Sequence, residues 1–483
     1  MKVLFVTSEV APFSKTGGLA EVSQALPKAL KRLGHEVSIV SPKYRSVKYS
    51  NCVIEKIDNI INVPISWKLK TGQLFRSEID GIPVYLIARD ELFDRDGIYG
   101  TEYGDYQDNA ERFIFFCRAV LELCIALNLD VDVIHCNDWH TALVPVYLKT
   151  LYKDMPIFSK VASLYTIHNL GYQGIFWQYD MPLTGLPWEL FAPSALEFYG
   201  NINFMKGGIV FADIINTVSR KYLAEIQTKA DGCGLDGVLR ERSQDLFFVF
   251  DGVDYDTWNP ATDRWIAANY AQDSIENKAL CKADLRKVFD LNYSDSPLIV
   301  MVSKLVDRKG LDLVTRAFDN IISLDLQLVV LGKGEDRYQT FLVDMAAKYK
   351  GKLGIYIGCD AALNHKVLAG SDMFLVPSKY EPCGLDQLYS LKYGTVPIVR
   401  AVGGLDDTIS DYDTSSDMGT GFKFTDYTPE ALIGAIERAI NLFKDKHAWL
   451  KLMKRAMAQS FSWESSAHGY VELYKKAIAK RKN

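Results

Sequence analysis

Short apolar runs alternate with stretches of helical periodicity along this chain, and the alternation occurs twice. Val3–Thr7 leads through a glycine-containing turn into Leu19, Val22, Leu26, Ala29, Leu30 and Leu33, a helical spacing closed by Gly34. Further strand-like runs are Val37–Val40, Ile60–Ile65, Leu74–Ile79, Val84–Ile87, Val131–His135 and Lys160–Ile167, with helical patterns over Asn109–Leu127 and Thr141–Leu151. Asp251–Asp263, which is Asp-rich and holds Gly252 and Pro260, predicts a hinge. The pattern then restarts with Leu298–Val302, a helix from Lys309, and Leu326–Leu331 ending in Gly332-Lys333-Gly334. Helices over 335–350, 361–369 and 384–393 and strands over 353–357, 372–376 and 396–399 follow. Such short strands, buried on both faces and separated by helices, specify an α/β chain with parallel sheets covered on both sides. The expected organisation is a first domain over 1–250, the hinge over 251–263 and a second domain over 264–460. A helical tail runs over 461–483, its basic end (Lys475, Lys476, Lys480, Arg481, Lys482) suited to the helix dipole. Ligands of open α/β sheets bind at the carboxyl ends of the strands, so a cleft between two such domains is the expected site.

Charge and composition narrow the function. Lys and Arg number 55 against 60 Asp and Glu, a net charge of −5, which argues against nucleic-acid or membrane-surface partners. An anionic ligand would need a local basic pocket. Aromatic residues reach 12%, which suits a protein that packs rings against sugar C–H faces as well as one that packs its own core. The eight Cys include no C-x-x-C pair and read as free thiols. The N-terminus opens straight into a strand without a leader segment, and the longest apolar stretch, Phe113–Leu129, carries Arg118 and Glu122. A cytoplasmic protein is expected. An oligomer is compatible with this composition and is not specified by it.

Four constellations could carry chemistry. Lys15-Thr16-Gly17-Gly18-Leu19 sits at the first strand-to-helix turn, where glycine amides and a helix N-terminus favour an anion. It matches neither dinucleotide nor P-loop spacing. Lys304, Arg308 and Lys309 gather at another helix N-terminus, where they oppose the helix dipole unless an anion such as a diphosphate is bound. His135-Cys136-Asn137-Asp138-Trp139-His140 and His168-Asn169 end buried strands, where polar groups point to a site. A metal there is the lesser reading, since consecutive residues face opposite ways. In Tyr380-Glu381-Pro382-Cys383-Gly384-Leu385-Asp386-Gln387, Glu381 precedes a helix and can meet sugar hydroxyls or a developing cation. Gly403-Gly404-Leu405 echoes the first turn and suggests a second ligand-facing one. The D-x-D triplets Asp94/Asp96, Asp130/Asp132, Asp254/Asp256 and Asp411/Asp413 are too frequent in this Asp-rich chain to mark a metal site.

Nearly end to end, these residues resemble the bacterial glycogen synthases and plant starch synthases. The most specific matches are Lys15 to Leu19, Asn137 to His140, His168-Asn169, Lys309-Gly310, Tyr380 to Leu385 with Gln387, and Leu391 to Thr395. The resemblance implies a GT-B fold, with two Rossmann-like domains facing across a deep cleft and a C-terminal helix crossing back to the first. It implies retaining transfer of glucose from ADP-glucose to the non-reducing 4-OH of an α-1,4-glucan, without metal or other cofactor. The front-face mechanism it carries lets the leaving phosphate take the acceptor proton. By the same resemblance the catalytic groups are Glu381, Asp138, His168, Lys309 and Lys304. Lys15, Thr16, Gly17, Gly18, Glu21, Asp251, Cys359, Cys383, Gly384, Leu385 and Asp386 would line the donor. Tyr99, Trp139, Asp138 and His168 would line the acceptor.

This chain also departs from the family pattern. Lys304 stands where most relatives have Arg, turning a bidentate clamp into a point charge. Cys359 replaces the aromatic expected to cover adenine, Asp251-Gly252 replaces Asn-Gly, Asp386 adds a negative charge, and the E-x7-E pattern from Glu381 ends at Tyr389. Two alternatives therefore stay open: a retaining transferase using UDP- or GDP-glucose, and a weakly active or non-catalytic glucan-binding homologue.

Overall fold

The computed structural model describes residues 1–482. The chain divides into two compact units, Met1–Val218 with Leu223–Gly252 and Trp463 onward, and Ser219–Tyr222 with Val253–Ser462.

The first unit is built on nine strands: β1 (Lys2–Val6), β2 (Glu36–Pro42), β3 (Glu55–Ile65), β4 (Lys68–Ile79), β5 (Ile82–Ala88), β6 (Val133–Asn137), β7 (Ala162–Ile167), β8 (Ile214–Thr217) and β9 (Leu246–Phe248). Their order is β9-β8-β7-β6-β1-β2-β5-β4-β3. Seven of them run parallel, but β3 and β4 are antiparallel to their neighbours, so the sheet is mixed rather than parallel throughout. The cause is local: Ile65 pairs with Lys68 across the two-residue Ser66-Trp67 turn, and so tight a connection can join only antiparallel strands. Helix α1 (Gly18–Arg32) buries Ala20, Val22, Leu26, Ala29 and Leu30 against the sheet and ends before Gly34. Helix α2 (Asn109–Ala126) is buried over most of its length. Within it Arg118 donates to the Pro64 carbonyl, and no helix of the described residues is long and apolar enough to cross a membrane.

The second unit carries a six-stranded sheet, parallel throughout. Its strands are β10 (Leu298–Val302), β11 (Gln327–Gly332), β12 (Leu353–Ile357), β13 (Met373–Val376), β14 (Val396–Arg400) and β15 (Phe422–Phe424), in the order β12-β11-β10-β13-β14-β15. The order reverses between β10 and β13, the position where open α/β sheets splay their carboxyl-end loops. Helices α3 (Leu311–Ser323), α4 (Ala361–Gly370), α5 (Asp386–Lys392) and α6 (Gly403–Thr408) each follow such a loop. The segment expected as a hinge belongs to this unit from Val253 onward. Trp258 lies flat between His365 of α4 (4.1 Å) and Tyr389 of α5 (4.2 Å), and the buried Asp263 accepts hydrogen bonds from His365 and Tyr393. Aromatic stacking and a buried carboxylate hold what composition alone read as a linker.

The last helix, α7 (Trp463–Lys482), belongs to the first unit and buries Ala467, Tyr470 and Tyr474. A buried polar network fixes its register. His135 of β6 meets the Tyr474 hydroxyl at 2.9 Å through Nδ1 and the Thr166 hydroxyl at 2.8 Å through Nε2. The Tyr470 hydroxyl accepts from Asn216 at 3.3 Å. Burial holds His135 far below the usual imidazole range, so it is a neutral structural group rather than part of a reacting cluster. Replacing Tyr474 by Phe strands one imidazole nitrogen; Tyr474→Phe is expected to lower unfolding free energy in urea by about 1–3 kcal/mol, and Tyr474→Ala by about 3–5 kcal/mol.

Candidate active site

In the first unit the candidate groups stand at the carboxyl ends of β1, β6 and β7. Gly17 precedes the first turn of α1, with Lys15, Thr16, Gly17 and Gly18 exposed. The turn amides are already engaged. Glu9, only 3% exposed, accepts from the Thr16 amide at 2.5 Å, the Thr16 hydroxyl at 2.7 Å and the Gly17 amide at 3.3 Å. A carboxylate thus occupies the cradle that the sequence assigned to a phosphate. Lys15 pairs with Glu21 at 2.6 Å, so two residues expected on the donor hold one another. Tyr99, expected on the acceptor, donates to Glu9 at 2.6 Å and lies 2.8 Å from the Ser8 hydroxyl. Its ring stacks on His140 at 4.5 Å. Glu9 lies outside the expected site; its signal in the sequence is an acid in the segment that joins β1 to the Gly17-Gly18 turn.

Asp138 follows β6 with φ +55° and ψ −176°, a backbone conformation rarely adopted by residues other than glycine. Its carboxylate holds the strained residue in place by accepting from the His168 amide at 2.9 Å and the Asn169 amide at 3.3 Å. These bonds favour the ionised form, yet burial outweighs them and pushes the Asp138 carboxyl up to about 7. His168 is pushed down to about 4 by burial and is neutral at physiological pH. Its Nε2 lies 3.0 Å from Asn137 Oδ1. Trp139 is buried rather than presented: its ring packs on His140, Phe113 and Phe176, and a side chain on Gly174 would strike it at 2.4 Å. It supports the site from beneath.

In the second unit Lys309 leaves the end of β10 and Glu381 the end of β13, neighbouring strands. Lys309 Nζ donates to Glu381 Oε2 at 2.5 Å, and the Ser378 hydroxyl donates to the same oxygen at 3.0 Å. Gly310 takes φ +84° and passes so near Pro377 that a side chain would lie 2.2 Å from its carbonyl oxygen. Gly403 and Gly404 are buried, not ligand-facing: a side chain on Gly404 would lie 1.9 Å from the Cys383 carbonyl oxygen. The Gly404 amide donates to the Glu381 and Pro382 carbonyls at 3.2 and 3.0 Å, so the second Gly-Gly turn buttresses the Glu381 loop. Gln387 staples the same loop through the carbonyls of Cys383 (3.2 Å) and Gly384 (2.8 Å). Cys383 is buried, Gly384 and Leu385 are half-buried, and Asp386 begins α5. Lys304 and Cys359 are exposed, and Asp251 is buried at the end of the first unit. Tyr389 is committed to the Trp258 stack.

At least one carboxylate of each of the four D-x-D triplets is taken up locally. Arg45 holds Asp94 and Asp96, Lys2 holds Asp130, Asp254 accepts from Thr257, and Arg438 and Ser415 hold Asp411 and Asp413. Among the described residues no group of three or more His, Cys, Asp and Glu is arranged to hold a metal ion.

Two doubly wound units with charged and polar groups at their strand ends are the GT-B architecture of glycosyltransferases. The family described as the starch synthase catalytic domain matches residues 2–241, and the glycosyl transferases group 1 family matches 285–454. Curated glycogen synthases match over nearly the whole chain. That of Koribacter versatilis is 47% identical over 99% of this chain and 98% of its own, and that of Moorella thermoacetica 46% over 100% and 98%. The catalytic domain of starch synthase IV from Arabidopsis thaliana, solved bound to ADP and acarbose, superposes with a TM-score of 0.91 at 33% identity over 99% of both chains. A sucrose-phosphate synthase from Thermosynechococcus elongatus, 17% identical with a TM-score of 0.60, shares the fold. The chain belongs to the glycogen and starch synthase family and is a hexosyltransferase.

Asp138 gives a direct electrostatic test. Its folded-state value lies above the ordinary carboxylate range, so its ionisation destabilises the fold increasingly as pH rises from about 4 and fully above about 7. Asn keeps an oxygen for the two amides without the charge. Asp138→Asn is therefore expected to stabilise the protein at pH 8, by up to roughly 4 kcal/mol, and to be near neutral at pH 4. Thermal unfolding across that range checks it.

Proposed function

We propose that this protein transfers glucose from ADP-glucose to the non-reducing 4-OH of an α-1,4-glucan with retention of configuration, without a resident metal, in the cytoplasm. The observation that carries the proposal is kinship along the full chain with bacterial glycogen synthases, with the Lys309–Glu381 pair at the β10 and β13 ends. The solved relative's ADP and acarbose support an adenosine diphosphate donor and a glucan-type acceptor. The engaged D-x-D carboxylates support a reaction that does not use them for metal, and the free cysteines support a reducing compartment.

Breaking a glycosyl–phosphate bond develops negative charge on the diphosphate and oxocarbenium character on the sugar. Lys309 supplies a preorganised cation to the first, joined by Lys304 as a mobile point charge. As Lys309 turns to phosphate, Glu381 is left to accept hydroxyls of the glucosyl ring and to favour its positive charge. His168 and Asp138 hold sugar hydroxyls by hydrogen bonds. The leaving phosphate oxygen takes the proton of the acceptor hydroxyl as the new glycosidic bond forms on the same face.

Turnover on a short malto-oligosaccharide with ADP-, UDP- and GDP-glucose tests the donor. ADP-glucose is expected to be used at least about 10-fold better, a difference of about 1.4 kcal/mol. Equal or better use of UDP-glucose would select the rival transferase, and no chain extension with any donor the binding homologue. Lys309→Ala and Glu381→Ala are each expected to lower kcat by roughly 10²–10³ with the fold intact; unchanged rates would refute the assignment. Lys304→Arg, which restores a two-pronged phosphate contact, should lower the donor KM several-fold, about 1 kcal/mol. A raised KM would contradict the clamp argument.

A further inference from the structure

Asn137 is the last residue of β6 and is fully buried. Its Nδ2 donates to the Val6 carbonyl oxygen at 3.0 Å, with the His135 carbonyl oxygen at 3.5 Å. Carbonyl oxygens only accept, so the amide nitrogen must face them; flipping it would set Oδ1 against both. The orientation of Asn137 is therefore fixed by the neighbouring backbone. Its Oδ1 consequently faces His168 Nε2 at 3.0 Å, and an amide oxygen can only accept there. Nε2 must carry the proton. Among the described residues Nδ1 of His168 meets no hydrogen-bond partner, and His168 is half-buried rather than sealed.

We infer that Asn137 is a positioning residue that locks His168 in the Nε2–H tautomer, so that Nδ1 is presented as a bare acceptor for a substrate hydroxyl. The burial that keeps the ring neutral prevents a second proton from filling that lone pair. His168 then accepts a hydrogen bond from a sugar O–H and can neither donate one at Nδ1 nor act as a cation. The hydroxyl it reads must have its proton free, and a sugar bearing fluorine or an ether at that carbon is refused. The consequence for turnover rests on the proposed glucosyl transfer; the tautomer does not.

The test is two-bond ¹H–¹⁵N correlation NMR of the full chain labelled with ¹⁵N-histidine, with His168 assigned by loss of its signals in His168→Gln. At pH 7.5 the wild-type protein is expected to show a protonated Nε2 and an unprotonated Nδ1. Asn137→Ala is expected to lose that single tautomer and to lower kcat/KM about 10-fold, the loss of one oriented hydrogen bond. A wild-type His168 protonated at Nδ1, or an Asn137→Ala protein with full activity, overturns the inference. The NMR readout needs no turnover, so an inactive wild type with an Nε2-protonated His168 would refute the function and uphold the tautomer.

Discussion

The ion pair between Lys309 and Glu381 is where the second unit's geometry converges. The two residues leave adjacent parallel strands, and their side chains meet at 2.5 Å only because the backbones behind them are brought unusually close. Gly310 touches the Pro377 carbonyl and Gly404 the Cys383 carbonyl, contacts that no larger residue could make without displacing one loop. The pair is mostly shielded, its side chains 22% and 11% exposed, so neither charge can be left alone cheaply. That condition shapes ligand binding. A diphosphate that takes Lys309 deprives Glu381 of its cation, and the cost is offset only if other donors reach the carboxylate. Sugar hydroxyls are such donors. On the proposed reaction, a nucleotide sugar supplies phosphate to the lysine and hydroxyls to the glutamate together, whereas a nucleotide diphosphate without its sugar supplies only the first.

The first unit solves a similar problem with a different pairing. Glu9 saturates the Thr16 and Gly17 amides and is itself tied to Tyr99, while Lys15 is tied to Glu21. The Gly-Gly turn is therefore shaped by a resident carboxylate rather than waiting open. An anion approaching it meets a turn whose first donors are committed, so its attraction must come from Lys15, released from Glu21, and from the dipole of α1.

Much of this was legible in the sequence, for identifiable reasons. Leu298–Val302 and 353–357 matched their strands because continuous apolar runs of five residues bounded by turn signals are recognisable without their partners. Ile214–Thr217, Leu246–Phe248 and Phe422–Phe424 went unread because three or four residues carry no period and exist as strands only through pairing with distant neighbours. The β3–β4 pair was visible as two runs but not as a hairpin, since Ser66-Trp67 lacks the usual glycine signal. For the site, positions were readable and partnerships were not. Gly403-Gly404 resembled a ligand turn, and only packing against the Cys383 backbone reveals a buttress. Glu9 and Asn137 act through neighbours remote in sequence, Tyr99 and Val6 among them, which no local motif contains.

The candidate groups of the two units also differ in electrostatic character, and the difference bears on the departures from the family pattern. Asp138 titrates near neutrality and His168 is uncharged, so the groups of the first unit expected on the sugar and acceptor work through directed hydrogen bonds. Lys309 and Lys304 carry the charge. Hydrogen-bond recognition is exacting, because a buried acceptor left without its hydroxyl loses far more than a missing van der Waals contact. Charge recognition is forgiving of the group that bears the anion, and a lysine more so than an arginine. Lys304 and Cys359, the departures expected on the nucleotide, both belong to the second unit. Neither departure touches the hydrogen-bonded group formed by Asn137, Asp138 and His168, whose contacts all lie within the first unit.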